Sequence, residues 1–537
     1  MPVDRMSDGI TAALQCLRND EIMSHILTFT PSNTGTLNKS KENQDLLNIA
    51  LVCRAFREPA LNELWRSLRS FLPLLRLLST PGQVGRVSGT YVLAGPITQH
   101  QWDRFDDYAR RVRELSLSAS AAAYLIESIR PAVDPSVYLR IARGHAGPIL
   151  PRLRELFCFP LRPESVIFLS PSLRTIGFQG LSASLTCTFL AALPSDAANV
   201  KDLRVESTGP FDHLIGSCVT QLRTLEELTL NLNNAPLSEY ACMHEILATF
   251  GLRSLSITGS DQWESELPNY NLQSGFSELQ SLGIQGGFRF ISSTISSILS
   301  RHLSKITVNC SHDALVSEGT SGWKPLIHVI LPREWVSLTH ISLDLHHSTT
   351  ATDNINILLS VIKHLRLRIF SLMRYAPMCI SDADIDKFAR RCPLVEQVTF
   401  TSGEQDAHTA PSLACLTSLA RRCSALQMVQ LSLNIPDNLT RSSSPEPYNN
   451  HVRCFFPSFV ILEQLSAERI LGIARYLDRL FPRLERVVSW EMPGAVYCRK
   501  IETLVRQLQA ARAEVKFWSV PDIRVADDWT ENLGRLR

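Results

Sequence analysis

Few residues in this chain have the types and the spacing that catalytic chemistry requires. His244 and Glu245 begin the pattern H-E-x-x-H, in which two histidines on one helix face bind Zn²⁺ and the glutamate acts as a general base. The second histidine position is occupied by Ala248, so one metal ligand is missing. His346 and His347 are adjacent but have no cysteine or carboxylate at ligand spacing. Both places are better interpreted as capping or turn histidines.

Other catalytic signatures do not occur in the sequence. It contains no G-x-S-x-G nucleophile turn, no phosphate-binding G-x-x-x-x-G-K and no G-x-G-x-x-G opening a helix. Gly286 and Gly287 follow a predicted strand, but an ordinary turn explains them. We therefore predict no catalytic residue, no metal site and no cofactor.

Charge and cysteine usage narrow the class of protein further. The chain of 537 residues has 54 Lys plus Arg against 52 Asp plus Glu, a net charge of +2, which argues against a dedicated nucleic-acid binder. No apolar run approaches the roughly 18 residues of a membrane span, and residues 1–11 lack the apolar core of a signal peptide. The 13 cysteines form no C-x-x-C pair. We expect an intracellular protein of a reducing compartment, the cytosol or the nucleus.

A six-residue pattern, L-x-x-L-x-L with Ile, Val or Phe allowed at the Leu positions, recurs along most of the chain. It opens at Val112, Leu153, Leu173, Val200, Leu225, Leu252, Leu279, Leu303, Leu338, Leu367, Val395 and Leu426. Within each copy the apolar positions alternate with polar ones, which predicts a short strand with one buried face. Between copies the spacing is helical, and Ser381-x-x-Asp384 resembles a capping box.

A strand, a turn and a helix repeated in this way predict an α/β fold of stacked units, with a parallel sheet on a concave face and helices outside it. The pattern resembles the leucine-rich repeat family, and Asn233 and Asn434 match the fourth position of its signature. In that family the asparagine bonds to backbone groups in the turn after the strand. Most other copies lack it, so the resemblance implies an irregular solenoid.

The residues between the buried positions are expected to face outward from the sheet and to form the recognition surface. Their charges are mixed, which suits a protein ligand better than a polyanion. The candidate target-binding residues are Arg154, Arg174, Glu226, Arg253, Gln280 and Glu396.

Residues 17–68 do not follow the repeat and predict three short helices. Asn19 or Asp20 can cap the first helix, Asp45 can cap an apolar second helix, and Pro59 suits the first turn of the third. A helical module of about 50 residues is near the lower limit for independent stability, so we expect it to dock on another part of the chain or on a partner.

This segment closely resembles the F-box, in particular its fungal form. The match is carried by residues 19–27 (NDEIMSHIL), 45–57 (DLLNIALVCRAFR) and 58–65 (EPALNELW). Two features depart from the family: its usual Leu-Pro opening is Leu17-Arg18 here, and the connection over residues 30–44 is long.

F-box proteins are non-catalytic substrate receptors of SCF ubiquitin ligases. The resemblance implies that residues 17–68 bind the Skp adaptor, which links to cullin and RING subunits, while the repeats hold an unknown target protein. The implied adaptor contacts, some of which must instead form the core of the module, are Leu17, Ile22, Ile26, Leu46, Leu47, Val52 and Trp65. Neither a membrane nor a nucleic acid is expected as a partner.

The predicted organisation is an F-box at 17–68, a connecting segment at 69–111 that packs on the first repeat, a solenoid at 112–520 and a tail at 521–537. A loop is predicted at about 436–451. Two other functions stay open on the sequence alone. One is a repeat scaffold that acts outside ubiquitination, and the other is an enzyme on a repeat fold, although no cluster of titratable residues favours the enzyme.

Overall fold

The computed structural model describes the chain over a set of ranges and single residues. The ranges are 39–79, 84–87, 90–93, 95–118, 132–207, 214–233, 251–260, 275–310, 337–345, 364–374, 380–402, 410–435, 451–459, 465–489 and 494–517. The single residues are Ile22, Ile26, Ile246, Trp335, Leu358, Leu359 and Ile362. The chain divides into unit 1, residues 1–279 with 297–299, and unit 2, residues 280–296 with 300–537.

Helices and strands alternate along most of the chain. The helices are α1 (Lys39–Val52), α2 (Arg54–Arg66), α3 (Leu72–Leu75), α4 (Gln99–Ala109), α5 (Pro135–Gly144), α6 (Ala183–Asp196), α7 (Leu214–Gln221), α8 (Phe288–Ser297), α9 (Asp382–Arg391), α10 (Cys415–Arg422), α11 (Ala467–Leu480) and α12 (Gly494–Phe517). Short 3₁₀ helices cover Arg76–Leu78 and Pro163–Phe168. None of the helices in the described part of the chain combines the length and apolarity of a membrane span.

The strands follow the repeated pattern. They are β1 (Ser67–Leu68), β2 (Val84–Val87), β3 (Thr90–Leu93), β4 (Glu114–Ser118), β5 (Ala132–Val133), β6 (Glu155–Phe159), β7 (Thr175–Gly180), β8 (Asp202–Ser207), β9 (Glu227–Asn231), β10 (Ser254–Thr258), β11 (Ser281–Gly286), β12 (Lys305–Cys310), β13 (His340–Leu345), β14 (Ile369–Arg374), β15 (Gln397–Ser402), β16 (Met428–Leu433), β17 (Cys454–Phe459) and β18 (Arg486–Val487).

Each unit contains parallel strands that pair in the order of the chain. In unit 1 the order is β1-β4-β6-β7-β8-β9-β10, and in unit 2 it runs from β11 to β18 without interruption. A smaller sheet in unit 1 pairs β2 with β3 antiparallel and β3 with β5 parallel. The prediction of an α/β fold built from stacked, solenoid-like strand–helix repeats is therefore confirmed.

The six-residue pattern explains why these strands form where they do. In the copy that opens at Leu153, the first, fourth and sixth positions are Leu153, Leu156 and Cys158, and all three are fully buried. The residues between them on β6 are only half-buried, as expected for a strand with one face in the core. Pairing is in register from copy to copy, so that Leu156 lies beside Ile176.

Aromatic side chains fill the space between strands and helices. In unit 1, Phe178 on β7 packs edge-on against Phe189 on α6, with 5.1 Å between the ring centroids. In unit 2, Phe388 on α9 contacts Phe370 and Phe400 of the adjacent strands β14 and β15. These contacts hold each helix against the buried side of its strands, since tightly packed aromatic pairs add to the free energy gained by burial.

Local capping also follows the sequence in several places. Ser381 caps α9 by accepting a hydrogen bond from the Asp384 amide, and the Asp384 carboxylate accepts one from the Ser381 amide. The predicted capping box is therefore confirmed. Asn233 of the repeat signature is exposed, and its backbone amide donates to the Asn231 side chain at 3.3 Å.

Two predictions for the N-terminal module are wrong. Asp45 does not cap a helix, because α1 begins earlier, at Lys39, where the good helix formers of residues 39–44 extend it. Pro59 lies inside α2 rather than in its first turn, because the helix starts at Arg54. A proline there removes one intrahelical hydrogen bond but is tolerated with its ring buried.

Other predictions lie outside the described residues. They concern Leu17, the caps Asn19 and Asp20, the residues 244–245 and 346–347, the loop at 436–450 and the tail at 521–537. The domain boundaries as a whole stay predictions.

Candidate functional site

The first candidate surface is built on helices α1 and α2. Leu46, Ala50 and Ala60 form a small buried cluster against which Ile49 and Leu64 pack. This cluster joins the two helices, so Leu46 belongs to the core of the module and not to its outer surface. A large apolar residue at this position stabilises the fold of the module that presents the surface.

An exposed apolar surface lies on the other side of α1. Leu51 is 76% exposed and Val52 is 69% exposed, and Leu47 lies one helical turn before Leu51 with 41% exposed. Ile22 and Ile26 are also helical, four residues apart, and are 39% and 48% exposed. Large apolar side chains at such exposure are the kind of residue that anchors protein interfaces.

The structure divides the predicted adaptor contacts into three groups. Ile22, Ile26, Leu47 and Val52 are exposed, Leu46 lies in the module's core, and the half-buried Trp65 packs against Tyr108. Leu51 was missed by the sequence analysis because it lies in the middle of an apolar run that looked buried throughout. That these exposed residues contact an adaptor stays a prediction.

Trp65 and Arg111 join the helical module to the following segment. The Trp65 ring lies 4.6 Å from the Tyr108 ring on α4. Arg111 Nη1 donates to Asn62 Oδ1 at 2.7 Å and lies 2.8 Å from Glu58 Oε2 on α2. The contacts therefore tie α2 directly to α4 within unit 1.

The same guanidinium reaches a third polar partner. Arg111 Nη2 lies 3.2 Å from Asp107 Oδ2, and its charge stands 5.6 Å from the Tyr108 ring centroid. Desolvation acts to lower the pKa of Arg111, but hydrogen bonds to Glu58 and Asp107 outweigh it and raise the pKa above its ordinary value. Arg111 is therefore a half-buried and permanently charged residue that joins α2 to α4.

The second candidate surface is the row of residues just before the strands. The predicted target-binding residues Arg154, Arg174, Glu226, Arg253, Gln280 and Glu396 each directly precede a strand: β6, β7, β9, β10, β11 and β15. Backbone hydrogen bonds align successive members, as between the Arg174 amide and the Arg154 carbonyl at 2.8 Å. Within each unit they therefore lie at the edge at which its strands begin, and that they bind a target stays a prediction.

In unit 1 this edge is rich in cations. Arg66, Arg113, Arg154, Arg174 and Lys201 precede the consecutive strands β1, β4, β6, β7 and β8. Adjacent strands are about 4.8 Å apart, so the side chains are close neighbours. We call these five residues the cation row. The sequence did not reveal it because the intervals between its members vary.

Within the cation row, Arg66 and Lys201 each have an acidic partner. Arg66 lies 3.6 Å from Glu114 and Lys201 lies 2.5 Å from Glu226. Among the described residues no carboxylate pairs with Arg113, Arg154 or Arg174. Burial, followed by repulsion from Arg154, lowers the pKa of Arg113.

The first residues of several strands carry the opposite charge. Glu114 and Glu155 are register partners on β4 and β6, and Asp202 and Glu227 are partners on β8 and β9. Burial, followed by repulsion from Glu114, raises the pKa of Glu155. Two pairs of carboxylates, separated by Thr175 on β7, therefore lie beside the cation row, and we call these four residues the carboxylate row.

The solvent-facing side of β6 carries two aromatic residues that the sequence analysis did not select. Phe157 and Phe159 stack with 6.4 Å between centroids and 17° between ring planes. Their neighbours in register are small: Ser116 on β4 and Gly177 on β7 both pair with Phe157. The signal was present in the sequence, since Phe157 occupies a position of the repeat where Ser, Thr, Gly or a charged residue usually stands.

Metal ligands and reactive thiols are the remaining candidates for chemistry among the described residues. No group of three or more His, Cys, Asp or Glu residues there could hold a metal ion. The buried thiols are poor nucleophiles, because burial raises the pKa of Cys158, Cys218 and Cys498 to about 12.

The comparison with known families bears on the N-terminal module. Residues 20–70 match the model of the F-box-like family. No curated protein matches the chain. F-box proteins are in general non-catalytic subunits that bind Skp-type adaptors and act as substrate receptors of SCF-type ubiquitin ligases. The segment that contains α1, α2 and their exposed apolar surface is an F-box-like domain.

Proposed function

We propose that this protein is a substrate-receptor subunit of an SCF-type ubiquitin ligase. Its F-box-like domain binds a Skp-type adaptor, and through it cullin and RING subunits, while its repeats, which we infer to be of the leucine-rich type, bind a target protein. The observation that carries the proposal is the exposure of Leu51, Val52 and Leu47 on a domain that matches the F-box-like family.

The adaptor-binding surface would combine these three residues of α1 with Ile22 and Ile26. Exposed side chains of this size cost solvation free energy, about 25 cal/mol for each Å² of apolar surface, which binding an apolar partner recovers. Leu46 supports the surface from the core, and the predicted contact Trp65 supports it by fixing α2 against α4. Leu46 and Trp65 would therefore act without touching the adaptor.

The receptor's contribution to ubiquitination would be positional. It raises the local concentration of a target lysine near the ubiquitin thioester and supplies no acid, base or nucleophile. Such a role requires that target and adaptor be held in a constant geometry. The contacts of Arg111 with Glu58 and Asn62 meet this need within unit 1, because they join the F-box-like domain to the segment that leads into the repeats.

Titration calorimetry of the full chain with a purified Skp-type adaptor tests the proposal. We expect a one-to-one complex that the double change Leu51→Asp/Val52→Asp weakens at least about tenfold, since anchors of this kind contribute about 2 kcal/mol or more. The matched control is Leu181→Asp, a similarly exposed leucine outside the domain. An absence of binding by the natural chain would overturn the proposal.

A further inference from the structure

The strongest unexplained surface in unit 1 is the aromatic pair Phe157 and Phe159 next to the cation row. Both phenylalanines are half-buried and lie on the open side of the strand, away from the core of the repeat. Here the neighbouring residues Ser116 and Gly177 are too small to cover the rings. The two rings therefore stand above the sheet face as an apolar platform.

Gly177 has a specific relation to this platform. A Cβ atom at Gly177 would lie 2.7 Å from Phe157 Cδ1 and 3.4 Å from Phe159 Cζ, and the first of these distances is too short for any real contact. The Phe157 ring thus occupies the space that a side chain on β7 would fill. A larger residue at position 177 would force the ring away from its place over β7.

The charges beside the platform indicate what would bind there. Arg154 precedes β6 by one residue, and a strand rise of about 3.3 Å per residue places it about 10 Å along the chain from Phe157. Arg154 and Arg174 are exposed and have no carboxylate partner among the described residues. An extended peptide with an acidic side chain about three positions from an apolar one would satisfy both features.

The carboxylate row argues against a nucleic acid in the same place. Glu155 lies on the same side of β6 as Phe157, and Glu114 is its register partner. A continuous polyanion crossing from the cation row to the rings would pass over these carboxylates and be repelled. A protein segment can instead place its acidic residues at the edge only.

We propose that the target of this receptor is bound in unit 1 by Phe157 and Phe159 together with Arg154 and Arg174, and that it presents an extended segment with acidic residues near an apolar side chain. The inference rests on the proposed receptor function and names the chemistry of its target. The proposed target is a protein.

Fluorescence polarisation with the full chain, alone and mixed with a purified Skp-type adaptor, tests the inference. The probe is a pool of labelled peptides with two acidic residues placed three positions from Phe or Leu. One comparison pool has Lys in place of the acidic residues, and another has Ser in place of the apolar residue. We expect binding of the first pool only, weakened at least about tenfold by Phe157→Ser/Phe159→Ser or by Arg154→Glu/Arg174→Glu.

Matched controls occur at the same repeat positions in unit 2. Phe456→Ser changes a half-buried phenylalanine on β17, and Arg453→Glu changes the arginine that precedes that strand. Both should leave affinity within about twofold of the natural chain's. Should the double phenylalanine variant fail to fold, Gly177→Ala, which displaces the Phe157 ring without removing it, is expected to weaken binding severalfold.

Four results would overturn the inference. They are no binding of the acidic–apolar pool, equal binding of the comparison pools, displacement of the peptide by a random single-stranded oligonucleotide, and self-association of the chain that Phe157→Ser/Phe159→Ser abolishes. The adaptor titration separates the two proposals. If the adaptor binds and the pool does not, only the target surface is wrong; if the pool binds and the adaptor does not, the receptor function is wrong.

Discussion

Arg111 and Glu58 form an ion pair of 2.8 Å that connects helix α2 of the F-box-like domain to the segment after α4. The Arg111 side chain is only 10% exposed, whereas that of Glu58 is largely in solvent. Desolvation of the guanidinium is offset by hydrogen bonds to Asn62 and Asp107 as well. This junction gives a small apolar domain a fixed place on the repeats of unit 1.

Replacing Arg111 should loosen that junction. Arg111→Met keeps the aliphatic stem but removes charged hydrogen bonds, so we expect the free energy of unfolding to fall by about 2 kcal/mol. Amide hydrogen exchange should rise over Arg54–Arg66. Arg110→Met is the control, because Arg110 is exposed and its side chain donates to the neighbouring Asp106 carbonyl of the same helix. Unchanged exchange in α2 of the Arg111 variant would contradict the assignment.

Replacing Leu46 should affect the stability of the domain, whereas replacing Leu51 should affect adaptor binding. Leu46→Ala leaves a cavity in the cluster with Ala50 and Ala60 and should lower stability by about 2 kcal/mol or more. Leu51→Ala should leave the melting temperature almost unchanged and weaken adaptor binding. Thermal unfolding and calorimetry on both variants check this. The opposite assignment of the two effects would show that α1 presents its other side to the adaptor.

The pH dependence of the melting temperature should reveal the raised pKa of Glu155 in the carboxylate row. Burial, followed by Glu114, raises the pKa of Glu155 above 4.5, so its favourable contribution is present below pH 4.5 and is lost as pH rises through the folded-state pKa. Glu155→Gln should therefore raise the melting temperature at pH 7, with a gain that disappears on acidification.

Glu226 is the matched control for that experiment. A hydrogen bond from Lys201 lowers the pKa of Glu226, so its contribution is present above pH 4.5 and lost as pH falls through the folded-state pKa. Glu226→Gln should slightly lower the melting temperature at pH 7. Shifts of the same sign for both variants would contradict the burial of Glu155 or the pairing of Glu226 with Lys201.

Asp478 and Arg512 join helices α11 and α12 in unit 2. Burial is the largest influence on Asp478 and raises its pKa, against the effect of the Arg512 hydrogen bond. Arg512→Ala would leave a buried carboxylate without its partner, and we expect a loss of about 2 kcal/mol or more in chemical denaturation. The double change Asp478→Asn/Arg512→Gln should recover most of the loss. A milder effect of the single change than of the double one would disprove the pairing.

The fold was largely predictable from sequence because its information is local and repeated. Each copy such as the one at Leu153 specifies its strand by three buried positions, and Ser381 with Asp384 specifies the start of α9. The candidate sites were less predictable. Whether Leu46 or Leu51 faces solvent depends on α2, which packs on only one side of α1.

The cation row and the packing of Trp65 were not predicted because both depend on contacts between residues far apart in the sequence. The cation row forms because strands far apart in sequence begin at the same edge, and Arg66 and Arg113 enter it from segments of different length. Trp65 has the spacing of an interface anchor, but Tyr108, 43 positions later, covers it. No pattern within a single copy of the repeat contains that information.

Hydrogen exchange of the full chain, alone and mixed with a purified Skp-type adaptor, tests the receptor assignment most directly. The account predicts a one-to-one complex with new protection over α1 and at Ile22 and Ile26, and unchanged exchange on β6 to β10. Absence of a complex, or protection on those strands in place of α1, would contradict it.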